Sequence, residues 1–189
     1  MSILKTRVLK TSLLAAASLG ILATAALAEN PMVGGAPMYA EKNIVENAVN
    51  SKDHTTLVAA VKAAGLVETL QGKGPFTVFA PVNSAFEALP AGTVDNLLKP
   101  ENKEMLTKVL TCHVVAADAM SDAIGKMIKD DGGTHPVKTV GGCTLQAKMD
   151  GDKITLTDEN GGVATVTIAD VDQSNGVIHV IDRVLLPKM

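Results

Sequence analysis

The chain has 189 residues, of which 47% are hydrophobic and only 2% aromatic, with 17 Lys+Arg against 20 Asp+Glu. That length points to one domain, at most two. The formal charge of −3, with basic residues scattered along the chain, argues against a polyanionic partner such as nucleic acid or an acidic membrane surface.

Lys5, Arg7 and Lys10 precede an apolar run from Leu13 to Leu27, which ends in Ala26-Leu27-Ala28. A basic start, a short apolar middle and small residues at the two positions a signal peptidase reads predict a cleavable signal peptide over residues 1–28. The alternative is an uncleaved anchor. The run falls short of the roughly 20 apolar residues a span needs, and its flanks are those of a cleaved signal. No cysteine follows it, which argues against a lipoprotein anchor. Cleavage would take the net charge from −3 to −6 and export the remainder to the periplasm or the medium, where disulfides persist. Residues 29–39 contain Pro31, Gly34, Gly35 and Pro37 and read as a flexible leader ahead of a domain over residues 40–188. Met32 and Met38 frame this leader. Two thioethers without a nearby His or Cys make a thin Cu(I) site, so a tether is the preferred reading and no metal or cofactor is expected.

The first half of the domain reads helical. Ile44, Ala48 and Val49 share one face of a short helix. Leu57, Val58, Val61 and Ala64 recur at three-to-four spacing, with Asp53 as candidate N-cap and Gly65 as the stop. A turn at residues 72–75 leads into a β run at Phe76-Thr77-Val78-Phe79-Ala80, closed by Pro81. Asn83 or Ser84 caps a turn carrying Phe86 and Leu89. A longer helix covers Glu101 to Leu110, with Met105, Leu106, Val109 and Leu110 inward, and His113-Val114-Val115 leaves it as a strand. The second half reads as β: runs at 137–140, 144–149, 153–157, 163–168 and 177–186 are rich in branched residues, with turns at Asp150-Gly151 and Asn160-Gly161-Gly162. Helices first and a strand meander afterwards make an α+β domain.

Three segments carry a resemblance. Residues 74–86, Gly-Pro-Phe-Thr-Val-Phe-Ala-Pro-Val-Asn-Ser-Ala-Phe, are similar to the first signature of the fasciclin-like (FAS1) family. Residues 174–187, Ser-Asn-Gly-Val-Ile-His-Val-Ile-Asp-Arg-Val-Leu-Leu-Pro, are similar to the second. Between them, Leu110-Thr111-Cys112-His113-Val114-Val115 stands where the family has its Tyr-His motif. The resemblance covers about residues 40–188. It implies a compact wedge, a β-sandwich of about seven strands with helices packed along one edge. Phe76, Phe79, Pro81, Asn83, Phe86, Asn175, Gly176 and His179 then read mainly as architecture. Asn83 can hold its turn through a backbone N–H, and Asn175-Gly176 suits a tight turn with φ > 0.

Few residues are left for chemistry. His54, His113, His135 and His179 show no paired metal spacing, and no nucleophile elbow or phosphate loop is present. The acidic pairs Asp130-Asp131 and Asp158-Glu159 fall in turn-like stretches and read as solvated charge. Cys112 and Cys143 form an even count in an exported domain, which favours one structural disulfide over two buried thiols or a redox pair. Cys112 stands where animal members of the family often carry the Tyr associated with integrin binding, which puts that mode in question here. Ala169-Asp170-Val171 resembles the Asp-Ile core of another family adhesion motif. Asp170, Val171 and His113 are therefore the candidate binding residues, with a turn carboxylate as the plainer reading of Asp170.

The resemblance implies a non-enzymatic adhesion module with a cell-surface or matrix protein or glycan as partner. A carrier holding a small apolar or glycan ligand between helices and sheet is the alternative. A metal or redox enzyme built on Cys112 and His113 is the weakest reading.

Overall fold

The computed structural model describes residues 30–188, so the expected signal peptide lies outside the described residues. In chain order the elements start with a hairpin of β1 (Met32–Val33) and β2 (Ala36–Pro37). Three helices follow: α1 (Ile44–Ala48), α2 (Thr55–Ala64) and α3 (Val67–Leu70). Next come β3 (Phe76–Pro81), α4 (Asn83–Glu87), α5 (Thr93–Leu97) and α6 (Lys103–Thr111). A short β4 (Val114–Val115) and α7 (Ser121–Asp130) precede the meander. The meander consists of β5 (His135–Lys138), β6 (Thr144–Asp150), β7 (Lys153–Thr157), β8 (Val163–Gln173) and β9 (Gly176–Ile181).

Seven strands hydrogen-bond in the order β4-β3-β9-β8-β7-β6-β5. Only β3 and β9 are parallel, in register from Phe76 opposite Gly176 to Pro81 opposite Ile181; the other neighbours are antiparallel. β8 serves both halves of the sheet. Its first residues pair with β7, and register shifts between Val166 and Val171 bend it before its remainder pairs with β9. The bend brings the two edges of the sheet together. Val140 N–H donates to Val114 C=O at 2.8 Å, and Gly141 N–H donates to Thr111 C=O at 3.0 Å. The result is the expected α+β fold of seven strands with helices, curled nearly into a barrel.

Strand alternation sorts the side chains into two cores. Phe79, Leu145, Leu156, Ala164 and Ile181 fill the inside of the curl, which Ile124 and Ile128 of α7 close. Val78, Ala80, Ile178 and Val180 face the other way and meet Ile44, Leu57, Val61, Phe86 and Leu110 of the helices.

Several expectations change. The stretch expected as a flexible leader is the β1–β2 hairpin, and Val33 and Met38 are buried in the helical core. Its glycines and prolines make a tight turn rather than a tether, and the Gly34 carbonyl accepts from Lys52 N–H. Met38 is 2% exposed and Met32 58%. Helix α7 has no counterpart in the sequence reading; Gly125 and the polar residues around Ile124 and Ile128 masked its periodicity. Val49 and Met105, expected inward, are exposed.

Candidate functional site

The two signatures meet where β3 and β9 run side by side. The Asn175 carboxamide accepts from Ile44 N–H at 3.0 Å and donates to the carbonyls of Leu70 and Gly72, both at 2.8 Å. One side chain thus ties the start of α1 to the end of α3 and to the turn entering β3. Gly176 has φ +148°, and a Cβ there would stand 1.9 Å from the Phe76 carbonyl oxygen. Asn83 does not cap its own helix. Its side-chain oxygen accepts from Thr56 N–H at 3.0 Å and from the Thr55 hydroxyl, and its amide donates to Lys52 C=O at 2.8 Å. It caps α2, in place of the expected Asp53, because His54 at the N-cap position offers no side-chain bond. Asn83→Ala is therefore expected to cost about 1–2 kcal/mol, seen as a drop of several degrees in the melting temperature. Asn83→Asp, which keeps the acceptor, should lose less. Pro81 ends β3, Phe79 and Phe86 are buried, and Phe76 packs at the edge of the helical core.

His113 is a core residue rather than a surface contact. Its Nδ1–H donates to Val109 C=O at 2.8 Å, and its Nε2 accepts from Leu185 N–H at 2.9 Å. Burial holds the imidazole neutral, with its pKa lowered to about 4. Beside it, Cys112 and Cys143 form a disulfide with Cα atoms 5.4 Å apart, both residues buried. The bond staples the seam where the sheet edges meet. The close approach there needs Gly141, whose Cβ would lie 2.8 Å from Cys112 N. The bond spans 31 residues of sequence. Its removal as Cys112→Ser with Cys143→Ser should cost about 3–4 kcal/mol in the chain-entropy picture. Urea unfolding of the double variant against the oxidised parent measures it.

Asp170 and Val171 sit in the β8 bulge. Val171 is fully buried and cannot meet a partner directly. Asp170 has φ 57° and is half-buried. Its carboxylate accepts from Ser121 N–H at 2.6 Å and from the Ser121 hydroxyl. Met120, the N-cap residue of α7, makes no side-chain cap, so Asp170 caps that helix from across the fold. His179 accepts Asp170 N–H on Nδ1 at 3.2 Å and donates from Nε2 to Ala119 C=O at 2.8 Å; its ring stacks on Phe79. The Thr77 hydroxyl donates to Ala117 C=O and accepts from Ala119 N–H. Thr77, Asp170 and His179 together clamp residues 117–121 to the sheet. Asp170→Ala should cost about 1–3 kcal/mol, and Asp170→Asn less, because Asn tolerates φ > 0 and keeps an acceptor. Chemical denaturation of the two variants ranks them.

Asp158, expected as solvated charge, is buried. Its carboxylate accepts from the N–H groups of Asn160, Gly162 and Leu186. Glu159 accepts from Thr144 and Lys188 N–H, and these bonds hold its carboxyl below the usual range. The turn is a clasp for residues 185–188. Its one signal in the sequence was an Asx residue four positions before a glycine. No buried side-chain nitrogen or oxygen lacks a partner among the described residues.

A small apolar cavity borders this network. It lies beneath α1, α2 and α3 against β3 and has a volume of about 50 Å³. Ile44, Leu57, Val61, Leu70 and Val78 form its inner wall, and Lys62 stands at its rim.

Among proteins of known sequence, a family model described as the fasciclin domain matches residues 52–187. The Synechocystis protein sll1483 is 48% identical over 161 residues, 85% of this chain and 82% of the relative. Human periostin is 33% identical over 135 residues, 71% of this chain but 15% of periostin. Among solved structures, a FAS1 domain pair from the insect cell adhesion molecule fasciclin I superposes with a TM-score of 0.67 at 17% identity. It covers 77% of this chain and 51% of that one.

Proposed function

The chain belongs to the fasciclin domain family, and on that basis we propose that it works as an exported, non-enzymatic adhesion module. The observation carrying this reading is the state of its polar motif residues. Asn83, Asn175, His113, His179, Asp158 and Asp170 each spend their side chain on backbone groups of the fold. None is left poised beside a second reactive group, as a nucleophile–base pair or a general acid would be. A scaffold with its polar groups consumed in this way presents a rigid surface, and recognition then falls to the exposed loops between strands. The partner is a cell-surface or matrix protein or glycan. Cells of the source organism lacking this chain should attach less well to a surface or to neighbouring cells, and added purified domain should compete with wild-type attachment. Unchanged attachment in both arms would refute the reading.

A further inference from the structure

We propose that the gap between the sheet edges β4 and β5 is a binding site for a small single-ring phenol, its ring held by apolar side chains and its hydroxyl donating to His135 Nε2. This binding function stands apart from adhesion, which needs only the outer loops.

The sheet leaves this gap open. β4 and β5 are its two edge strands. They meet at the seam, where Val140 bonds Val114 and Gly141 bonds Thr111. Away from the seam, among the described residues, no backbone hydrogen bond joins residues 115–119 to residues 135–138. A cavity of about 190 Å³ lies here, between the two edges and α7. Phe79, Val115, Ile124, Met127 and Val137 give it apolar walls. The exposed Ala117 and Pro136 also line it, so it meets solvent with no movement of the fold. Apolar cavities of about 150 Å³ hold benzene. This one therefore takes a single ring with one small substituent, and no long chain.

One polar atom is placed to orient the ring. β5 sets His135 and Val137 opposite Ala147 and Leu145 of β6, which are buried inside the curl, so the four side chains share the inner face. His135 Nδ1 lies 2.6 Å from the Asp131 carboxylate. A carboxylate only accepts, so the neutral imidazole donates from Nδ1 and keeps its lone pair on Nε2. Among the described residues, Nε2 has no hydrogen-bond partner. The other polar groups of the wall are occupied. The Thr77 hydroxyl holds Ala117 C=O and Ala119 N–H, and Ala119 C=O accepts from His179. A ligand hydroxyl therefore finds its acceptor at His135. A ligand carboxylate would face the same lone pair and stand near Asp131, a like charge. Lys138 also lines the cavity but alternates to the outer face of β5, where water screens it. A sugar would bring several hydroxyls, and those without a partner would be costly to bury. The glycan half of the carrier reading falls away, and its apolar half narrows to phenols.

The test is an NMR titration of the purified exported protein at pH 8 with phenol, toluene and benzoate. Phenol and toluene share a shape and differ in the hydroxyl. Phenol should bind about twofold to tenfold tighter than toluene, and benzoate weakest. Amide shifts should centre on Val115, Ile124, Met127 and Val137. His135→Leu removes the acceptor and keeps apolar bulk, so it should erase the preference for phenol and leave toluene bound. Val137→Phe, which fills the cavity, should abolish binding of both. The ranking measured on the parent decides even where a variant fails to fold. Toluene binding as tightly as phenol, benzoate binding tightest, shifts elsewhere or no saturable binding would overturn the proposal. So would a phenol preference unmoved by His135→Leu. Loss of attachment in a His135→Leu strain is not expected, which separates this proposal from the adhesion reading.

Discussion

Asn175→Ala is expected to be the most damaging single substitution of a polar residue in this chain. The variant loses three hydrogen bonds at once and leaves Ile44 N–H and the carbonyls of Leu70 and Gly72 without their partner. The residue is buried, so water does not simply replace the side chain. Each orphaned buried group costs about 1–3 kcal/mol, and the Gly72 carbonyl is only partly buried, so the total is about 3–6 kcal/mol, a large part of a domain's usual stability. Asn175→Asp separates the contributions. It keeps the acceptor for Ile44 N–H but turns a carboxylate toward two carbonyl oxygens, so it should be at least as harmful as alanine. Urea unfolding at pH 7 measures both. A loss below about 1 kcal/mol for either would mean that the three segments are held by apolar packing alone and that the carboxamide is incidental. Gly176→Ala tests the same turn through the backbone. The added methyl collides with the Phe76 carbonyl, and no side chain can swing away to relieve it.

The same turn shows how far the sequence could be read. An Asn-Gly pair ahead of an apolar run announces a turn and a strand, and both are there. Nothing in the sequence says that the Asn side chain reaches residues 44, 70 and 72, because those contacts exist only after β9 has settled beside β3. Period-two alternation made Ile154 and Leu156 legible as core, and three-to-four spacing did so for Leu57 and Val61. Where the pattern was short or mixed, the reading lost its signal. Ser121–Asp130 has two inward isoleucines on an otherwise polar helix with a glycine in it. The hairpin at residues 32–37 has one buried strand residue, Val33, with Met38 just beyond the hairpin, and Pro31 and Pro37 mimic a linker. Asp158 and Asp170 looked like loop acids because burial of a carboxylate by backbone N–H groups leaves almost no mark in sequence. For the same reason the candidate contacts His113 and Val171 proved to be interior. A motif shared across a family marks whatever is constrained, and here the constraint is packing.

Acidification from pH 7 to pH 4.5 should weaken the fold, and the cause is histidine rather than carboxylate. In the unfolded chain His113 takes up its proton near pH 6.5, whereas in the fold burial lowers its pKa to about 4. Between those values the unfolded chain binds more protons, so stability rises with pH across the interval and is fully present above 6.5. His113 alone accounts for about 3 kcal/mol between pH 7 and pH 4. Burial also lowers the pKa of His54 and His179, which adds to the effect in the same direction. The bonds explain why protonation is resisted. His113 Nε2 and His179 Nδ1 each accept a backbone N–H, from Leu185 and Asp170, and a proton on either nitrogen would face that donor. Asp158 near His113, and Asp170 and Asp118 near His179, pull the other way but do not outweigh burial. At His54, the Ser51 hydroxyl on Nδ1 can rotate to accept, so the penalty there is smaller. Glu159, with its pKa held below the ordinary 4.5, gives up its contribution only under that pH, which leaves the window above it to the histidines. The urea midpoint should therefore fall steadily from pH 7 to pH 4.5. His113→Gln should start lower at pH 7 yet lose less on acidification, because the titrating group is gone. A variant slope equal to that of the parent would remove His113 as the cause, and a flat parent profile would remove the mechanism altogether.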